Sequence, residues 1–241
     1  MSRLSFFIRM RRFFKGFLSA ILKLMLYLLV ITVGWVLLYR FVNPPFTPLM
    51  VIRYAEESSK DRSISKKWKD YKYISDDLAL AVIAAEDQNF LKHNGFDVEA
   101  IQEAADTNKK RKKVRGASTI SQQVAKNAFL WPSRTWLRKG LEGYFTFLID
   151  IFWSKMRILE VYMNVAEMGE GVYGAEAAAQ LYFKKPAKSL TRGESALLAA
   201  ILPDPRRMSP AKPSEYVYER QRWIIQQMSN LGSLKLLREN K

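Results

Sequence analysis

The chain has 241 residues, enough for one domain with a sizeable apolar core plus an appendage. It carries 39 Lys and Arg against 23 Asp and Glu, a formal net charge of +16, so it suits an anionic partner: nucleic acid, anionic lipid head groups or a pyrophosphate. There is no cysteine and a single histidine, which excludes disulfides, thiolate metal sites and Cys nucleophiles and leaves too few ligands for a common zinc site.

The amino-terminal stretch is a membrane anchor by composition. Arg3, Arg9, Arg11, Arg12 and Lys15 precede an apolar run from Phe17 to Val42, charge-free between Lys23 and Arg40. About 20 apolar residues span a bilayer, and Lys23 can snorkel to the head groups. Trp35, Tyr39 and Phe41 suit the far interface. The basic cluster keeps its own end in the cytoplasm under the positive-inside rule, which sends the rest of the chain to the other side. A cleaved signal peptide needs a shorter apolar core and small residues at its exit, whereas Tyr39-Arg40-Phe41-Val42 is bulky.

The expected organisation is a basic tail over 1–16, an anchor over 17–42, a linker over 43–72 stiffened by Pro44, Pro45 and Pro48, and a catalytic domain over 73–241. Within the domain, Ser75 precedes Asp76 and Asp77 at a helix start, and the helix runs to Glu86. From Ala104 to Arg115, ending in Lys109-Lys110-Arg111-Lys112-Lys113, the chain reads as a solvated loop. Helices follow over 118–129, 134–153 and 154–167. Gly169, Gly171 and Gly174 mark turns. A short helix covers 175–182. Thr191-Arg192-Gly193-Glu194 forms a capping box before a further helix. An amphipathic helix from Ser214 to Leu231 closes the domain. No strand run stands out, so the fold class is mainly α.

Two glutamates stand out chemically. Glu86 closes an apolar helix, where burial and the negative end of the helix dipole both make a carboxylate more basic, as a general base requires. Glu142 follows Arg138 by one helical turn and Lys139 by three residues. Alone, the Arg138/Glu142 pair reads as a surface ion pair worth about 0.3–0.5 kcal/mol. Two carboxylates around a sugar centre are the usual equipment for glycosidic chemistry. The cations beside the second one point to a phosphate-bearing leaving group. Between them, Gly116-Ala117-Ser118-Thr119 opens a helix carrying Gln122, Gln123 and Lys126, an arrangement that binds phosphates and sugar hydroxyls as readily as it caps a helix.

These motifs come in a recognisable order: Glu86-Asp87-x-x-Phe90-x-x-His93-x-Gly95, then Gly116-x-Ser118-Thr119-Ile120-x-Gln122-Gln123, then Arg138-Lys139-x-x-Glu142. Lys155-Met156-Arg157-Ile158-Leu159-Glu160-Val161-Tyr162-Met163-Asn164 and Ala178-Ala179-Gln180-Leu181-Tyr182-Phe183 follow. Together they resemble the peptidoglycan glycosyltransferase family over about 75–210, with Ala117 in place of a glycine common in the second motif. The chain is similar to the monofunctional members, and no transpeptidase domain is expected after it.

The resemblance implies a lysozyme-like, two-lobed helical domain preceded by one transmembrane helix, and lipid II as substrate. It implies Glu86 as the base for the acceptor hydroxyl and Glu142 as the second essential carboxylate, near the donor diphosphate. Asp87, Phe90, His93, Ser118, Thr119, Gln123, Lys126, Arg138 and Lys139 form the substrate-binding set, the first three as supporting positions of the opening motif. A divalent cation, Mg2+ or Mn2+, is expected to share the diphosphate, and no organic cofactor is expected. Phe129, Leu130, Trp131 and Trp136 are the expected apolar jaw that dips into the lipid. The expected partners are lipid II, the growing glycan strand, membrane lipids and cell-wall or division proteins. The expected location is the cytoplasmic membrane, with the catalytic domain outside.

Three rivals bound this reading. A lytic or hydrolytic muramidase-like enzyme on the same fold needs a protonated acid and has less use for the cations. A membrane-anchored binding protein would not depend on Glu86. Nucleic acid lies on the wrong side of the membrane.

Overall fold

The computed structural model describes residues 3–56, 63–108 and 116–232. The Lys109–Lys113 cluster and the first part of the polar stretch after Glu56 lie outside them. The described chain is mainly α-helical, and it divides into two units at Val42/Asn43.

The first unit is one helix, α1 (Arg3–Phe41). Thirty-nine residues at 1.5 Å each make about 58 Å. The portion Met10–Phe41 is long and apolar enough to cross a membrane. Every side chain from Met10 to Ile31 is exposed, Leu24, Met25, Leu26 and Tyr27 among them. A continuous exposed apolar surface of this kind is stable only out of water.

The second unit is built around α3 (Asp76–Glu86). Leu78 to Ala84 are all buried, so this helix has no solvated face over that stretch. It packs against α9 (Arg192–Ile201) and α10 (Glu215–Leu231), where Leu80, Ala81 and Ala84 meet Ala196, Ala200, Val217, Ile224 and Met228. The small alanines allow this close approach. A second layer joins α5 (Ile120–Phe129) to α6 (Trp136–Phe152), α7 (Lys155–Val165) and α2 (Pro48–Glu56). The helix α8 (Ala175–Phe183) completes this body.

The helix starts follow side-chain chemistry. Thr119 and Thr191 each form a full capping box, with Gln122 and Glu194. Thr135, Ser154 and Ser214 cap α6, α7 and α10. Ser75 departs from expectation: its hydroxyl donates to Leu190 O at 3.0 Å and does not cap α3. The dipole of α3 is met instead by Asp76 and Asp77.

Other expectations change. The stretch read as a linker carries α2 and a strand, β1 (Ser65–Lys66). The stretch read as a loop from Ala104 is helical to Asn108, the end of α4 (Val98–Asn108), whose polar surface hides a shallow amphipathic pattern. The glycine-rich turn region contains β2 (Glu167–Gly169) and β3 (Val172–Tyr173). β3 lies between the other two, parallel to β1 and antiparallel to β2. Strands of two or three residues carry too little alternation to be read from sequence.

Gly174 pins this small sheet to α7. Its φ is +82°, and a Cβ built there would lie 2.8 Å from Asn164 O. Asn164 itself accepts from Lys69 N–H at 2.8 Å and donates to Lys69 O and Glu160 O. Gly174→Ala is therefore expected to cost about 1–3 kcal/mol through backbone strain, with the clash added. Thermal unfolding should show a fall of roughly 2–4 °C per kcal/mol. An unchanged midpoint would contradict the close approach.

Candidate functional site

Glu86 is the last residue of α3, where the helix carbonyls lose their internal partners. Asp87 N–H donates to Ile83 O at 2.9 Å, and Gln88 Nε2 donates to Ala84 O at 3.2 Å. The Glu86 carboxylate accepts from Gln123 Nε2 at 2.7 Å. Gln123 in turn accepts from the Tyr162 hydroxyl at 3.3 Å, and Tyr162 is fully enclosed. That bond fixes the amide so that its N–H group faces the carboxylate. Burial raises the Glu86 pKa above the ordinary carboxylate range. The Gln123 hydrogen bond and the charges of Arg220 and Lys126 oppose the rise, while Asp87 adds to it.

The rest of the opening motif builds the loop that follows. Asp87 is buried and accepts from His93 Nε2 at 2.9 Å and from Ile120 N–H at 2.9 Å. Ile120 is the first residue of α5, so this carboxylate joins the end of α3 to the start of α5. Phe90 is completely buried. Lys155 Nζ lies over the Phe90 ring and donates to His93 O at 2.6 Å and to Asp150 at 3.0 Å. Thr119 donates to Gly95 O at 2.6 Å. Asp87, Phe90, His93 and Thr119 thus hold this loop through inward partners, and Asp87 and Thr119 also border the pocket beside Glu86. Ser118 is exposed and lines a pocket of about 240 Å³ beside Glu86, together with Asn89 and Trp223.

The second carboxylate is more enclosed than a surface pair. Glu142 is 3% exposed. It is bound by Arg138 Nη1 at 2.5 Å and by Lys139 Nζ. Lys126 feels both acidic centres: burial lowers its pKa, with Arg138 and Lys139 adding to the fall, while the charges of Glu142 and Glu86 oppose it. Lys126, Arg138, Arg134, Gln123, Asn127 and Tyr162 line a cleft of about 680 Å³. Gln123, Lys126 and Arg138 thus converge as expected, and Lys139 approaches Glu142 from its more exposed side. The cleft offers a cationic wall, and Gln123 on its lining reaches the partly buried Glu86 carboxylate. That is suited to displacing an anionic leaving group with a hydroxyl.

The expected apolar jaw divides. Phe129 and Leu130 are core residues, with Phe129 stacked on Phe145 at 4.8 Å between centroids. Trp131 and Trp136 are exposed, Trp136 to 92%. Phe147 and Ile151 extend that exposed apolar face along α6, and Leu137 flanks it.

A transglycosylase family model matches residues 54–229, nearly the whole second unit. The chain belongs to the transglycosylase family. Among relatives named biosynthetic peptidoglycan transglycosylase, that of Stutzerimonas stutzeri is 49% identical over 229 residues, covering 94% of this chain and 95% of the relative. The protein of that name from Xanthomonas axonopodis pv. citri is 52% identical over 200 residues, covering 82% and 81%. The one from Shewanella oneidensis is 48% identical over 219 residues, covering 91% and 94%.

Against this family background, two residues at the site went unread in the sequence. Tyr162 lies in the motif from Lys155 to Asn164, where no role of its own was expected for it. Arg220, 3.8 Å from Glu86, sits in the last amphipathic helix with nothing in its neighbourhood to distinguish it from a solvated cation.

The burial of Glu142 changes what a substitution beside it should do. Removing one partner of a buried charge costs about 1–3 kcal/mol or more, not the few tenths of an exposed pair. Arg138→Ala should lower stability measurably in a denaturant titration. Adding Glu142→Gln removes the buried carboxylate, then held by Lys139 alone, and should recover part of that loss without recovering activity. An additive pair of losses would mean that the two side chains do not depend on each other.

Proposed function

We propose that this chain, a peptidoglycan glycosyltransferase by family, polymerises lipid II into β-1,4-linked glycan strands and releases undecaprenyl diphosphate. The carrying observation is the pair of dissimilar carboxylates on either side of a cationic cleft lined by Gln123, Lys126 and Arg138: Glu86 accepting from Gln123, and Glu142 holding Arg138 and Lys139.

Each residue then has a task. The acceptor 4-hydroxyl meets Glu86, which takes its proton as the oxygen attacks the anomeric carbon. The bond from that carbon to the diphosphate oxygen breaks on the opposite face, so an α-linked donor gives a β bond. Lys126 and Arg138 stabilise the charge that grows on the diphosphate. Glu142 keeps Arg138 extended along the cleft wall. Ser118 and Asn89 contribute polar groups beside the base.

A cutting enzyme would want Glu86 protonated. Burial pushes Glu86 in that direction, so its titration does not separate the two; the cationic wall of Lys126, Arg134 and Arg138, for which a cutting enzyme has less use, supports synthesis over cleavage.

A divalent cation fits the arrangement poorly. Both oxygens of Glu142 are engaged by cations. Among the described residues, the group of three with ligand atoms close together is Asp87, His93 and Asp97, and its carboxylates already accept from Ile120, Ala100 and Asn89. The protein's own cations supply the charge in this mechanism.

The apolar helix α1 supports a single-pass anchor with its basic end in the cytoplasm and the catalytic unit outside. The exposed Trp136 face of α6 supports contact of the catalytic unit with the lipid surface. Lipid II, the growing strand and membrane lipids are the partners that this reading requires, and nucleic acid is not among them.

Purified full-length protein with labelled lipid II should form polymer. Glu86→Gln preserves shape and should lower turnover about 10²–10⁴-fold; near-normal turnover would move the base elsewhere. Because the base must be ionised, activity should fall as pH falls through its pKa. With that pKa raised by burial, the acid limb should lie above the roughly 4.3 of an ordinary glutamate. A reporter active only outside the cytoplasm, fused after Lys241, should be active; a well-expressed but silent fusion would reverse the topology.

A further inference from the structure

The buried face of α10 carries Val217, Ile224 and Met228, which pack into the α3 and α9 core. Arg220 lies three residues after Val217 and four before Ile224, on that same face. A cation in the apolar stripe of a packed helix is costly unless it has a partner. Its partners are at the end of α3. Arg220 Nη2 is 3.8 Å from Glu86 Oε1 and donates to Ala85 O at 3.4 Å. The guanidinium also stacks over Trp223, 5.9 Å from the ring centroid, and about a quarter of the side chain is exposed.

We propose that Arg220 is a positioning residue for the reaction: from α10 it orients the Glu86 carboxylate and supplies the counter-charge that lets it act as a base. This rests on the reading of Glu86 as the base. A single guanidinium performs two local tasks. It satisfies Ala85 O, one of the carbonyls left open where α3 ends, and it offsets a carboxylate placed against the negative end of that helix dipole.

Other groups also face Glu86. Gln123 and Lys126 approach from α5, Asp87 follows in the chain, and Tyr162 reaches it from α7 through Gln123. Lys126 is the other cation in this set, but it is shared with Glu142 and lines the cleft where a diphosphate would bind. Once an anionic substrate draws on Lys126, Arg220 is left as the counter-charge of the base. Its position on a core-packed helix keeps it there throughout turnover.

The test combines a titration without substrate and kinetics with it. Full-length protein labelled with 13C at glutamate carboxyl carbons is titrated by NMR in detergent micelles, and the Glu86 signal is assigned by its loss in Glu86→Gln. Arg220→Gln should move the Glu86 midpoint upward by about one pH unit or more, a change of roughly tenfold in the ionised fraction below the midpoint. The acid limb of kcat should move with it, the plateau of kcat should fall, and KM for lipid II should stay within about twofold. Arg220→Lys, which keeps the charge without the planar fork, should restore part of the shift and provides the same test should the Gln variant fail to fold.

An unmoved Glu86 titration in both variants would overturn the proposal. So would a raised KM with an unmoved pH profile, which would make Arg220 a substrate contact. Full activity of Glu86→Gln would instead remove the underlying reading of the base, and the substrate-free titration keeps the two failures distinct.

Discussion

The hydrogen bond from Ile120 N–H to the Asp87 carboxylate is the constraint on which the site depends. It ties the residue after Glu86 to the first residue of α5. Everything that α5 contributes is placed by that junction: Gln123 one turn in, where it meets Glu86, and Lys126 nearly another turn further, on the wall of the cleft. The donor is one of the N–H groups that any helix leaves unpaired at its start, so the junction uses a bond that the helix needs in any case. His93 completes the carboxylate, and Lys155 anchors the loop to α7. The opening motif is therefore mostly a device for joining two helices, with one chemical residue at its edge.

The two glutamates illustrate how environment divides labour between identical side chains. Glu142 is deep but doubly paired, so its charge is compensated locally and its effect is to hold Arg138 in place. Glu86 is held by a neutral amide at short range, with its cations at longer reach. Burial makes this carboxylate the more basic of the two and no close ion pair locks its charge, which leaves an oxygen able to accept a proton. A tighter ion pair at Glu86 would hold the charge but oppose its neutralisation, which the proposed role as a base requires once in every turnover.

Much of the fold was legible in the sequence because its signals are local. The capping boxes at Thr119 and Thr191, the uninterrupted apolar run of α3 and the glycine turns each specify structure within a few residues. The motif residues Glu86, Gln123, Lys126, Arg138 and Glu142 were legible through their fixed order. The helix α2 escaped because prolines suggested a tether, yet Pro48 is its first residue, where the missing N–H costs nothing. The sheet escaped because its strands are too short to alternate. Phe129 and Leu130 were misplaced because an apolar residue near a helix end reads alike whether it faces lipid or core. Arg220 and Tyr162 became visible only when three helices were assembled, since contacts between residues far apart in the chain leave no mark on either segment alone.

The complete enclosure of α3 has a dynamic consequence. A helix with one solvated side frays or shifts at small cost, whereas Leu78 to Ala84 move only when neighbours on every side give way. The amides of this segment should therefore exchange with solvent only through global opening, and Glu86 inherits that rigidity as the terminal residue. At the start of α6, by contrast, Trp136 and Leu137 stand exposed while Arg138 beside them is held by Glu142. The carboxylate at the end of α3 is thereby an immobile reference point for whatever binds beside it.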